Sequence, residues 1–79
     1  MMMNPSDNPE MTALHIQLNG QRHSLATPCN LLQLVNEMPV ELKNIAVELN
    51  QRIIPRSQLS EITLNEGDCV EIVEFIGGG

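Results

Sequence analysis

Leu14, Ile16 and Leu18 alternate with His15 and Gln17, the two-residue period of a strand with one buried face. Asn19-Gly20 follows, the dipeptide that most favours a two-residue hairpin turn, and residues 21–26 form the return strand. Pairing across so short a loop sets Ile16 opposite His23 and Leu14 opposite Leu25 on the core face. His15 then points the other way. With the two histidines on opposite faces and no carboxylate or cysteine at ligand spacing, no metal site is expected. His23 reads as a partly buried polar residue near the sheet edge.

Thr27-Pro28 has the form of a helix opening, an N-cap hydroxyl followed by proline at the first helical position. Leu31, Leu34, Val35 and Met38 recur at helical spacing, and Pro39 ends the run. This stripe is core. Ile45, Val47 and Leu49 alternate with Ala46 and Glu48 as a third strand, Asn50-Gln51 turns the chain, and Pro55 confines the short run 52–55 to a sheet edge. Residues 57–62 have room for one helical turn. Glu66-Gly67-Asp68 turns into a last strand over 69–75. On it Val70 and Ile72 share one face, while Cys69, Glu71, Val73 and Phe75 share the other. Glu71 marks that second face as the solvent side, which leaves Val73 and Phe75 as an exposed apolar pair. The order β-β-α-β-β-β predicts an α+β roll, a mixed sheet of four to five strands with one main helix on one face. The N-terminal hairpin and the last strand are expected to be neighbours.

A chain of 79 residues makes one small domain, able to bury only about 60% of its unfolded surface. Residues 1–11, rich in Asn, Pro, Ser and Asp without apolar periodicity, read as a disordered leader. The folded domain is expected over 12–76 and a flexible tail over 77–79. Ten acids against four bases give a formal charge of −6, and after Arg56 there are five acids and no base. Such an end repels phosphate backbones, which argues against nucleic acid as a partner and for a basic protein surface. No apolar run is long enough to span a bilayer, and the start lacks the basic and apolar regions of a signal peptide, so a cytoplasmic location without membrane attachment is expected. Cys29 and Cys69 form no Cys-x-x-Cys pair and imply no disulfide. Placed in the first turn of the helix, Cys29 would feel a dipole that lowers its pKa, but an isolated small cysteine is more often a buried hydrophobe.

The last strand runs without a polar spacer into Phe75-Ile76-Gly77-Gly78-Gly79. Glycine accepts φ of either sign and has no Cβ, so such a tail can thread a narrow channel and present the Gly79 carboxylate unhindered. That suits a carboxylate that is activated and modified. The chain has no glycine-rich nucleotide loop of its own, so activation must come from a partner.

Element order and tail together resemble the ubiquitin-like β-grasp family and, within it, the ThiS family of sulfur carriers in thiamin biosynthesis. The resemblance is carried by Leu18-Asn19-Gly20, Leu31-Leu32, Ile45-Ala46-Val47-Glu48-Leu49-Asn50, Ile54-Pro55-Arg56 and the segment from Glu66 to Gly79. It implies that an E1-like adenylating enzyme uses ATP to activate Gly79, that a sulfur donor protein converts the acyl adenylate to a thiocarboxylate, and that thiazole synthase receives the sulfur. Val73 and Phe75, an exposed apolar centre rimmed by Glu71 and Glu74, are expected to dock the adenylating enzyme together with Ile76, Gly77 and Gly78. The resemblance further implies that the chain itself binds no cofactor and is a protein co-substrate and not an enzyme. A molybdopterin-synthase small subunit, a ubiquitin-like modifier and a binding module with an inert tail are the alternative readings. The leader before Met11 and the position of Cys29 depart from the family pattern.

Overall fold

The computed structural model describes residues 13–75. The expected leader and the tail residues Ile76, Gly77, Gly78 and Gly79 lie outside the described residues, as do the proposed boundaries at 12 and 76. The elements run β1 (Leu14–Leu18), β2 (Gln21–Leu25), α1 (Leu31–Asn36), β3 (Ile45–Leu49), β4 (Arg52–Ile54) and β5 (Cys69–Glu74). Two 3₁₀ segments, Leu42–Asn44 and Arg56–Glu61, sit before β3 and after β4.

The five strands form one sheet in the order β2-β1-β5-β3-β4. The outer pairs are antiparallel hairpins, and β5 enters between them, parallel to β1 and antiparallel to β3. The first hairpin has the register expected from its turn, with Ile16 opposite His23 and Leu14 opposite Leu25. Asn19 (φ 52°) and Gly20 (φ 83°) supply the two left-handed residues that a hairpin turn of this hand needs. The second hairpin uses Asn50 (φ 52°) and Gln51 (φ 70°) in the same way, although glutamine gains nothing from that region and glycine would. As expected, β4 with Pro55 after it is an edge strand, and β2 forms the opposite edge.

One face of the sheet packs on α1 and the loop segments. Ile16, Leu25, Val47, Val70 and Ile72 from the strands meet Leu31, Leu34 and Val35 from the helix, closed over by Leu59 and Leu64. Fully burying an aliphatic side chain contributes about 1.5–3 kcal/mol, and Leu31 and Leu59 are completely inaccessible. Leu59 is held there by the 3₁₀ segment, which begins as soon as Pro55 has turned the chain.

Three expectations are corrected. The helix cap is not Thr27-Pro28 but Asn30, whose side-chain oxygen accepts the Gln33 N–H at 2.8 Å while the Gln33 side chain accepts the Asn30 N–H at 2.9 Å, a reciprocal capping box. The cause is long-range. Leu31 N–H donates to Ile62 O and Leu64 N–H donates to Cys29 O, so residues 29–30 are held extended against the chain at Thr63 and the helix cannot start earlier. It also stops earlier than the apolar stripe suggests, at Asn36 with Glu37 as C-cap. Pro39 disfavours helical geometry at Met38, and Met38 closes the turn by donating to Val35 O. Cys29 therefore lies before the helix and not in its first turn. Its thiol pKa is pushed up, first by burial and then by the charge of Glu37, the reverse of activation by a dipole.

Candidate functional site

The site is built on β5. Alternation turns Val70 and Ile72 into the core, while Glu71, Val73 and then Phe75 face outward. Val73 is 53% and Phe75 55% exposed, as expected from Glu71, which precedes them on the same face. Glu71 and Glu74 are exposed as well. Phe75 lies just past the strand, yet its N–H donates to Asn44 O at 2.6 Å, so β5 is tied to the β3 side up to the last described residue. Phe75, the last described residue, is thus held in a fixed backbone position.

Two asparagines hold β5 from either side, and the sequence reading did not single out either for this. Asn19, in the first hairpin turn, donates its N–H to Val70 O at 2.9 Å, and its side-chain oxygen accepts the Ile72 N–H at 2.8 Å. Asn50, in the second hairpin turn, donates its N–H to Cys69 O at 2.8 Å, and its side-chain oxygen accepts the Cys69 N–H at 2.9 Å. The left-handed backbone that makes each asparagine a turn residue also aims its side chain along the neighbouring strand. The only signal in the sequence was that both hairpin turns begin with asparagine. The start of β5 is fixed in turn by Asp68, whose carboxylate accepts from Asn65 N–H at 2.7 Å and from the Asn50 amide at 3.1 Å.

The outward face of the sheet carries one further apolar side chain that sequence reasoning left out, Ile53 on β4, 74% exposed. His15, on the same face, accompanies Glu66: its backbone N–H donates to the carboxylate at 2.9 Å and its ring nitrogen lies 3.6 Å from the other oxygen. A cleft of about 330 Å³ lies elsewhere, lined by β2, the turn into α1, Cys29 and Glu37, and no residue of β5 lines it. Among the described residues no group of three or more His, Cys, Asp or Glu is placed to hold a metal ion. No described helix is long and apolar enough to cross a membrane.

Comparison with known proteins bears on what such a strand and tail are for. Residues 16–79 match the model of the ThiS family. The sulfur carrier protein ThiS of Bacillus subtilis is 35% identical over 65 residues, covering 81% of this chain and 98% of that protein. A thiazole synthase of Paramagnetospirillum magneticum is 35% identical over 66 residues, which cover 84% of this chain but only 20% of that longer protein; this chain thus spans about a fifth of its length. Among solved structures, the crystal structure of the thiamine biosynthesis protein ThiS from Geobacter metallireducens superposes with a TM-score of 0.72 at 28% identity, over 84% of this chain and 100% of that one. The five-strand mixed sheet with its covering helix is accordingly the ubiquitin-like β-grasp roll, and the chain belongs to the ThiS family.

Proposed function

We propose that the chain is a sulfur carrier for formation of the thiamin thiazole ring, working as a protein co-substrate in the cytoplasm. The observation that carries this reading is the central strand β5, clamped on both sides and tied down through Phe75, which leads without a spacer into Gly77-Gly78-Gly79. Membership of the ThiS family supports it, as does the match between this chain and part of a thiazole synthase.

A carboxylate is a poor electrophile. Attack of the Gly79 carboxylate on the α-phosphate of ATP, with loss of pyrophosphate, would give an acyl adenylate whose AMP is a good leaving group. An E1-like enzyme supplies the ATP site in this reading. Sulfide-level sulfur from a donor protein then attacks the acyl carbon, the bond to AMP breaks and AMP leaves, and the new C–S bond makes a thiocarboxylate that delivers sulfur to thiazole synthase. A donor persulfide would instead give an acyl disulfide that a second thiol cleaves, releasing the same thiocarboxylate. Gly77 and Gly78 thread the adenylating site because they have no side chain. Val73, Phe75 and Ile76, rimmed by Glu71 and Glu74, dock the enzyme.

The test is incubation of the chain with the adenylating enzyme, ATP and the sulfur donor, followed by intact mass spectrometry and a terminal fragment. The expected result is replacement of one oxygen by sulfur on Gly79, and none in a chain lacking Gly79. Thiazole formation by the shortened chain would overturn the assignment.

A further inference from the structure

Three strands of the outward face place Ile53, Glu48 and Glu71 in one row. Glu48 is registered opposite Ile53 on one side and opposite Glu71 on the other. In the next row Ala46 is opposite Val73. Directly opposed residues of antiparallel strands have Cα atoms about 4.5–5.5 Å apart, and like charges so placed weaken a sheet. Glu48 is half-buried and Glu71 exposed. Among the described residues, neither carboxylate has a basic group within ion-pair reach. Arg52 alternates with Ile53 to the other face, and Arg22 stands on β2 with β1 between it and β5. The fold keeps a repulsive pair flanked by two of its exposed apolar side chains, with the small Ala46 beside it.

We infer that this row is a docking surface for a protein partner that presents an arginine or lysine ringed by apolar side chains. The cation sits between Glu48 and Glu71, its aliphatic stem lies over Ala46, and the partner's apolar neighbours meet Ile53 and Val73. Charge decides the sign of the partner. At a formal −6 a second copy of this chain is repelled, whereas a basic surface turns one repulsion into two attractions. The surface extends the docking region beyond β5 to the β4 edge, and it rests on the proposed function only for the choice of probes.

The arrangement has a signature that a purely structural pair would lack, because stability and binding should change in opposite directions. Glu48→Gln, Glu71→Gln and the double variant, with Ile53→Ser beside them, are to be titrated calorimetrically against the purified adenylating enzyme and purified thiazole synthase at two ionic strengths. Each Glu→Gln change is expected to raise the melting midpoint of the free chain while weakening binding to at least one probe by about tenfold or more. That loss should shrink as salt rises, whereas the loss from Ile53→Ser should not. A chain shortened before Gly77 should still bind. Unchanged binding by the double variant, a wild type that binds neither probe, or self-association of the wild type in ultracentrifugation would each overturn the inference. If the variants bind normally while Gly79 still gains sulfur, the surface is wrong and the function stands; if binding is lost but Gly79 never gains sulfur, the reverse holds.

Discussion

The side-chain oxygen of Asn19 accepts the backbone N–H of Ile72 at 2.8 Å, across a sequence separation of 53 residues. The first turn of the chain therefore satisfies a part-buried donor in the strand that leads to the tail. Removing the acceptor leaves that N–H without its partner, which costs about 1–3 kcal/mol. Asn19→Ala should lose roughly that much stability in urea unfolding, with a further penalty for alanine at positive φ. Asn19→Asp keeps an acceptor and should lose less. Equal losses would show that the backbone conformation, and not the hydrogen bond, sets the requirement.

Gln51 offers the opposite case. It holds a φ of 70° in a turn where glycine is favoured at the second position. Gln51→Gly should stabilise the domain by about 0.5–1 kcal/mol, the strain released less the entropy that glycine loses. In a domain of this size that is a rise of a few degrees in the melting midpoint. A fall would show that the Gln51 side chain makes a contribution that its exposed position does not suggest.

Cys29 should be slow to alkylate at neutral pH, because burial and, secondarily, Glu37 favour the neutral thiol. Since the folded pKa is raised, the contribution to stability is complete below the unfolded thiol pKa and is lost as pH rises through the folded value. Stability should therefore drop on the alkaline side of the ordinary thiol range. Glu37→Gln should speed alkylation at mildly alkaline pH and soften that drop. The rate of iodoacetamide labelling at Cys29, located by peptide mapping, provides the check; a rate unaffected by Glu37→Gln would remove Glu37 as a cause.

At the docking surface proposed above, Phe75→Ala should weaken binding of the adenylating enzyme more than Glu74→Ala does, since an apolar centre contributes more than a rim charge. The Glu74 effect should fade with added salt. Losses of equal size, or a Glu74 loss that salt does not change, would count against Phe75 as the centre.

Most of the strands were legible because their determinants are local. Asn19-Gly20 sets a two-residue loop, the loop sets the register, and the period of two decides which side chains are buried. The exposure of Val73 and Phe75 followed by the same rule from Glu71, which precedes them on the same face of β5. The start of α1 was misplaced because Thr27-Pro28 carries a good local signal that a distant one overrides, the backbone pairing of residues 29–31 with residues 62–64. The pattern Asn30-x-x-Gln33 was available as a capping box and outweighs the proline once that pairing is known. The grip of Asn19 and Asn50 on β5 was not legible, since nothing in a turn sequence says which strand will lie beside it. The opposition of Glu48 and Glu71 was hidden for the same reason: it exists only once β5 has chosen β3 as its neighbour.

The position of β5, last of the five strands in chain order and middle of the five in space, has a consequence during synthesis on the ribosome. Until it emerges, the β1–β2 and β3–β4 hairpins have no strand to hydrogen-bond them into one sheet, and a core needing Val70 and Ile72 stays open. Closing it requires contacts between the two ends of the domain, the slowest kind to form. A chain broken off before β5 therefore offers neither a folded outward face nor a tail. Under the proposed function, topology would thereby link quality control to reactivity, since a partner that recognised the sheet would select chains whose synthesis has run at least through the strand preceding the glycines.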